Sequence, residues 1–182
     1  MGEPARDDGG AAARAGGVIL QPAGLAEYTI TAARRFATGQ SLETLGNNDG
    51  PEIREWLGRR GIHTPASWCA AFACAMIEDA ATALKDTLQM RRSAGALRLL
   101  ELNHDLVLTA PETGCLVVWD HGGGLGHVGI VTGVTLVGGE LASIDVVSGN
   151  TNAEGSRDAN QVCERGFPYP QARRLAGYVR VA

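Results

Sequence analysis

The sequence is poor in aromatic residues, in long apolar runs and in excess charge of either sign. Aromatic residues make up 5% of its 182 residues, and the formal net charge is −4. No apolar stretch approaches the roughly 20 residues that cross a bilayer, so insertion into a membrane is not expected. Basic residues form no stripe, which argues against a nucleic-acid partner. Residues 1–10 lack a basic start followed by an apolar stretch, so we expect no secretory signal.

The spacing of the cysteines and histidines fits neither a structural metal site nor a disulfide framework. No CxxC pair occurs, and the histidines do not fall at zinc-finger spacing. A chain of this length has room for a core and does not need disulfides. We therefore expect no metal and no cofactor. The useful question is which of the four cysteines is reactive: Cys69, Cys74, Cys115 or Cys163.

The order of the apolar patterns predicts an α+β fold. Residues 1–20 show no periodicity and predict a flexible leader, and residues 21–182 are predicted to form a single domain. Apolar residues at helical spacing predict helices over residues 25–36, 51–61, 69–84 and 93–100. Apolar runs between glycine-rich turns then predict strands over residues 115–119, 127–134, 143–148 and 176–181. This order indicates N-terminal helices packed on an antiparallel β-sheet.

Cys69 is the cysteine best placed for nucleophilic chemistry. Pro65 disfavours helix just before it, Ser67 is a plausible N-cap, and the Ala-rich stretch that follows is strongly helix-forming. A thiol in the first turn of a helix is stabilised as a thiolate by the helix N-terminus. Most cysteines in Ala-rich helices are simply core residues, however, and we expect Cys74 and Cys115 to be core and Cys163 to be structural.

A thiol nucleophile also needs a base and a residue that orients the base. His127 begins a strand directly after a glycine-rich turn, where its side chain can reach an active-site edge. Asn150 follows the next strand, so it can lie beside His127 and hold one imidazole tautomer. Each residue alone has a structural explanation, but their order along the chain favours a Cys-His-Asn site.

These segments resemble those of the CHAP and NlpC-like cell-wall hydrolases. The nucleophile segment is residues 67–72 (SWCAAF), the histidine segment is residues 126–131 (GHVGIV), and the third segment is residues 148–151 (SGNT). Residues 48–53 (NDGPEI) are similar to a lead-in segment of many members. The resemblance covers roughly residues 40–182. It implies a papain-like fold and a metal-independent hydrolase that cuts amide bonds in peptidoglycan, as an endopeptidase or an amidase.

Carried over to this chain, the resemblance implies Cys69 as nucleophile, His127 as base and Asn150 as the orienting residue. The residues that flank them are expected to line the substrate groove: Ser67, Trp68, Trp119 and His121. The alternatives are an N-cap role for Ser67, a core role for Trp68 and a loop position for Trp119 and His121. The implied partner is bacterial peptidoglycan.

The chain departs from the family pattern at Ser148, where a Glu is commonly found. A neutral amide stabilises an imidazolium less than a carboxylate does, so activity could be modest unless Asp120 or Asp145 contributes. Two alternatives therefore stay open. The domain could be a weak or inactive wall-binding module, or it could be a thiol acyltransferase or hydrolase acting on another amide.

The predicted substrate lies outside the cytoplasm, whereas no export signal is visible. Two biological roles fit this expectation: an antibacterial effector injected into rival cells, or a phage lysis enzyme. An injected effector would imply a cognate immunity protein that blocks the groove.

Overall fold

The computed structural model describes residues 24–154, 159–169 and 174–182, and the predicted leader lies outside them. Four helices come first, followed by a short 3-10 turn over His104–Leu106. The helices are α1 (Leu25–Arg34), α2 (Pro51–Gly58), α3 (Cys69–Leu84) and α4 (Ala96–Leu102). The strands are β1 (Val107–Leu108), β2 (Leu116–Gly122), β3 (Leu125–Val137), β4 (Glu140–Thr151), β5 (Gln161–Pro168) and β6 (Leu175–Val179). No helix in the described ranges is long and apolar enough to cross a membrane.

The strands form one antiparallel sheet in the order β1-β6-β2-β3-β4-β5. The α+β class is therefore confirmed, with β2 to β5 as a meander and β6 inserted between β1 and β2. The sequence patterns did not predict β1 and β5. Strand β1 has only two residues. Strand β5 is a half-exposed edge strand that contains Glu164, Arg165 and Gly166, and such a segment lacks a clear apolar run.

The main core lies between the helices and one face of the sheet. Eleven of the sixteen residues of α3 are buried, and most of them are alanines. Because alanine side chains are small, α3 approaches the sheet closely and contacts both β3 and β4. Other residues of the same sheet form a second apolar cluster, which contains Val117, Trp119 and Tyr178. Helix α3, which begins at Cys69, thus packs against the two strands that carry the other predicted site residues, His127 and Asn150.

Candidate active site

Cys69 is the first residue of α3, as the sequence predicted. Its side chain carries no disulfide and is 5% exposed. The predicted N-cap is wrong, however. Trp68 occupies the cap position with extended-to-bridge backbone angles (φ −116°, ψ 5°), and no side chain caps the helix. Ser67 lies one residue too early to cap the helix and is exposed. The amide groups of the first turn are therefore not used by a capping side chain.

Trp68 anchors the backbone directly before the nucleophile. Its indole is completely buried. Its ring centroid lies 5.8 Å from that of Trp56 and 6.4 Å from that of Phe72. Its Nε1 donates a hydrogen bond to Glu43 Oε1 at 3.2 Å. The Trp68 side chain is thus inaccessible to solvent. It packs against the start of α3 and does not line a substrate groove. The partner Glu43 was not identified from the sequence, because nothing local connects it with a residue 25 positions later.

The other three cysteines are held in their protonated form. Burial raises the pKa of Cys74 to about 11, and its Sγ donates to the backbone oxygen of Ser93 at 3.5 Å. Burial also raises the pKa of Cys115 to about 12. The pKa of Cys163 is raised for the same reason. At neutral pH these three thiols contain little thiolate, which is the reactive form.

His127 lies near the start of β3, directly opposite Trp119 in β2. The two rings stack at 5.9 Å with an angle of 30° between their planes, and both side chains are nearly buried. The preceding Gly126 packs against α4, since a Cβ built there would lie 2.9 Å from Leu97 Cγ and 3.2 Å from Ala96 Cβ. Strand β2 on one side and α4 on the other therefore restrain the backbone that carries the imidazole.

Asn150 lies on the neighbouring strand in an unusual conformation. Strands β3 and β4 are antiparallel and pair Ile130 with Val147, so His127 and Asn150 each lie three residues beyond this pair at the same end of the two strands. Asn150 has a φ of 57°, in the left-handed region that few residues other than glycine adopt. Its side chain is 1% exposed, and neither Nδ2 nor Oδ1 has a hydrogen-bond partner in the described part of the chain. The orienting hydrogen bond to His127 is therefore not formed in this structure.

The start of α3 touches β4 at Gly149, the residue before Asn150. A Cβ built on Gly149 would lie 2.9 Å from Trp68 Cε3, closer still to Cζ3, and 3.0 Å from Phe72 Cγ. The residue before the nucleophile and a residue one turn after it thus pack directly on the strand that carries Asn150. Together with the β3–β4 register, this contact brings the three sequence segments of the candidate site to one corner of the fold.

We expect Gly149→Ala to destabilise the protein by about 1–3 kcal/mol, the usual cost of overpacking a filled core. The buried indole of Trp68 is held by Glu43 and its aromatic neighbours, so it has little room to yield. Urea unfolding of both proteins measures this change, and activity should fall with it because the start of α3 shifts. The matched control is Gly58→Ala, where nothing lies within 4 Å of the added carbon. Equal unfolding midpoints for wild type and Gly149→Ala would contradict the prediction.

The remaining sequence-predicted groove residues lie around the β2–β3 turn. Trp119 is 7% exposed and is sandwiched between His127 and Phe167, whose ring centroid is 5.3 Å away. His121 Nδ1 lies 2.9 Å from Arg174 Nη1, so the imidazole accepts a hydrogen bond there. Arg174 immediately precedes β6. It is a polar neighbour of this edge that sequence patterns did not indicate.

Of the two aspartates that could compensate for Ser148, Asp120 lies at the β2–β3 turn and Asp145 lies opposite the middle of β3. Asp120 accepts from the Gly122 backbone at 2.7 Å and shapes the turn. Asp145 pairs with Gly133, six residues along β3 from His127, a separation of roughly 20 Å at 3.3 Å per strand residue. Ser148 itself is nearly buried, beside Gly129. Asp145 is therefore too far from His127 to stabilise its imidazolium.

The described residues contain no cluster of three or more His, Cys, Asp or Glu side chains that could hold a metal ion. The segment that begins α3 packs on β4 at Gly149, and β4 pairs with the strand that carries His127. Residues 61–150 match the model of the CHAP domain family, and Cys69, His127 and Asn150 lie within that range. The chain carries a CHAP domain. No curated protein and no solved structure gives a significant match. A CHAP domain indicates amidase or peptidase activity, with peptidoglycan as the substrate.

Proposed function

We propose that this CHAP domain hydrolyses an amide bond of the peptidoglycan stem peptide by covalent thiol catalysis. Cys69 attacks the carbonyl carbon and forms a tetrahedral intermediate, whose collapse gives a thioester and breaks the C–N bond. His127 gives its proton to the leaving amine, then takes a proton from the water that attacks the thioester. The second collapse releases the carboxylate product and restores the Cys69–His127 pair.

The observation that carries the proposal is the position of Cys69 at the first residue of α3. The helix N-terminus favours a thiolate there, and the amide groups of the first turn can donate to the developing oxyanion. No side chain caps this end of the helix, so those amide groups are not engaged by a cap. The raised pKa values of Cys74, Cys115 and Cys163 leave Cys69 as the cysteine suited to act as nucleophile.

Asn150 supports His127 in this mechanism once a substrate is bound. Its carboxamide is buried, and an unsatisfied buried amide costs about 1–3 kcal/mol, which a hydrogen bond formed in the complex would recover. The left-handed backbone of Asn150 is a strained feature of the kind that concentrates at functional sites. In apo enzymes catalytic hydrogen bonds are often long or unformed and tighten in the complex.

One observation favours a second candidate, a wall-binding module with little or no catalysis. Ser148 replaces the expected carboxylate, and the carboxamide of Asn150 makes no hydrogen bond in the described structure. If this arrangement persisted in the complex, Asn150 would not stabilise the imidazolium of His127. Hydrolysis and binding assays on the same substrate separate the two functions.

The test is digestion of purified peptidoglycan by the wild-type protein, followed by mass spectrometry of the soluble fragments. We expect pairs of new fragments whose combined mass exceeds that of the uncut molecule by one water per cut, with a free amine and a free carboxylate at the cleaved amide. Fragments cut between sugars would contradict thiol amidase chemistry. Retention of the protein on the wall without soluble fragments would favour the binding module.

A further inference from the structure

A polar cleft that the family match covers only in part lies upstream of the nucleophile. Its volume is about 240 Å³. One wall comes from the turn before α2 and from α2 itself, and the other from the loop that leads to α3. The cleft is lined by Asn48, Asp49, Arg54, His63, Thr64 and Pro65, with Leu57 and Ile62 also contributing. Residues 48–57 precede the matched range, which begins at residue 61.

The cleft lies within reach of a substrate bound at Cys69. Three residues separate Pro65 from the nucleophile, and the four residue steps between them span at most about 14 Å. A peptide in extended conformation covers the same distance with about four residues. A residue near the other end of a short stem peptide can therefore enter the cleft while the scissile carbonyl is at Cys69.

The accessible charge in the cleft is positive. Arg54 holds Asp49 through two hydrogen bonds, Nε to Oδ1 at 2.6 Å and Nη2 to Oδ2 at 2.8 Å. This pairing lowers the pKa of Asp49, so both oxygens of an ionised carboxylate already accept from Arg54. The Asp49 side chain is 14% exposed, whereas that of Arg54 is 64% exposed and keeps three of its five N–H donors outside this pair.

Asn48 adds an acceptor next to this cation. Its φ of 54° is left-handed, and the turn is closed by backbone hydrogen bonds between Gly46 and Asp49 and between Leu45 and Asp49. Its Oδ1 is enclosed and has no hydrogen-bond partner in the described part of the chain. A rigid turn thus holds an unsatisfied acceptor beside an exposed guanidinium.

We propose that this cleft is a specificity subsite for a stem-peptide residue that carries a free carboxylate. Arg54 binds the carboxylate, and the Asn48 side chain turns toward the cleft on binding, so that its Oδ1 accepts an N–H from the same part of the peptide. This inference rests on the proposed function for its substrate, since a wall peptide is what brings the carboxylate to the cleft. Charge-assisted pairs of this kind change affinity by roughly 10- to 100-fold.

The experiment measures binding in a Cys69→Ala background, where no turnover occurs. Calorimetry compares a synthetic tetrapeptide stem fragment that ends in a free carboxylate with the same fragment as its C-terminal amide. We expect the free acid to bind at least about tenfold more tightly. Arg54→Gln should remove this preference. Arg98→Gln should retain it, because Arg98 is a similarly exposed ion-paired arginine on α4, where it pairs with Glu101.

A second variant guards against misfolding as an explanation. Asn48→Gly deletes the acceptor, yet glycine adopts the left-handed backbone readily, so the melting temperature should not fall. We expect this variant to bind both fragments more weakly. Equal affinity for acid and amide in the parent, or unchanged affinity in Asn48→Gly, overturns the inference. Peptidoglycan digestion without an acid preference defeats the subsite alone, whereas an acid preference without digestion defeats the proposed hydrolysis alone.

Discussion

Replacement of Cys69 by alanine should abolish peptidoglycan hydrolysis, with a loss of at least about three orders of magnitude in kcat/KM. The variant lacks the sulfur that forms the thioester, and no other described cysteine begins a helix. Stability should change little, because the substitution removes one sulfur at a site where alanine continues the Ala-rich helix. Release of soluble fragments, monitored by mass spectrometry, measures the effect.

Cys163→Ala is the matched control for this loss. Cys163 is partly exposed on the edge strand β5, and its raised pKa keeps it protonated at neutral pH. Its removal should leave hydrolysis unchanged. Alkylation by iodoacetamide at pH 7 provides a readout independent of substrate, in which peptide mapping should find the label on Cys69 well before the other three cysteines. Full activity in Cys69→Ala would exclude the thiol mechanism, and preferential labelling of another cysteine would exclude Cys69 as the activated thiol.

Replacement of His127 by alanine should lower kcat/KM by about 10²- to 10⁴-fold, the usual contribution of a positioned acid–base group. Without the imidazole, nothing at the start of β3 protonates the leaving amine or deprotonates water. The cavity left beside Trp119 has the shape of the missing ring, since the two rings stack at 5.9 Å. We therefore expect free imidazole in the buffer to restore part of the activity.

His104→Ala serves as the control for His127→Ala. His104 is exposed at the start of the 3-10 turn, with Nδ1 3.4 Å from the Glu101 backbone oxygen, and its loss should not alter the rate. Asn150→Ala should cost less than His127→Ala and should shift the pH profile of kcat/KM, because Asn150 acts through the imidazole. If imidazole fails to restore His127→Ala while the variant remains folded, the acid–base role of His127 is not supported.

The helix start at Cys69 could be predicted because its signals are local. Pro65 excludes helix before it, the following alanines favour helix after it, and the structure places the boundary at the same residue. The prediction of Ser67 as the N-cap was wrong because a serine caps a helix only from the residue directly before its first turn. In α3 that residue is Trp68. Apolar runs between glycine-rich turns likewise predicted the central strands but not β5, which is a half-exposed edge strand with charged side chains.

Sequence patterns could not predict the contacts that assemble the candidate site. Gly149 reads as an ordinary turn glycine, yet its missing side chain is what lets Trp68 and Phe72 reach the sheet. Glu43 bonds to Trp68 across 25 residues, and Arg34 in α1 pairs with Glu164 in β5 across 130 residues. No periodicity in the chain marks either partner, because each pair forms only when distant segments are folded together.

The sequence by itself determined the class of fold, the helix that begins at Cys69 and the order of the candidate site residues along the chain, since helix starts, apolar runs and glycine turns depend on neighbouring residues. Only the tertiary structure decided that Trp68 is buried, that Asn150 is left-handed with an unsatisfied amide, and that Asn48 and Arg54 face the loop before Cys69 across a cleft. Burial and hydrogen-bond satisfaction depend on all the atoms that surround a group, and most of those atoms come from residues far away in the chain.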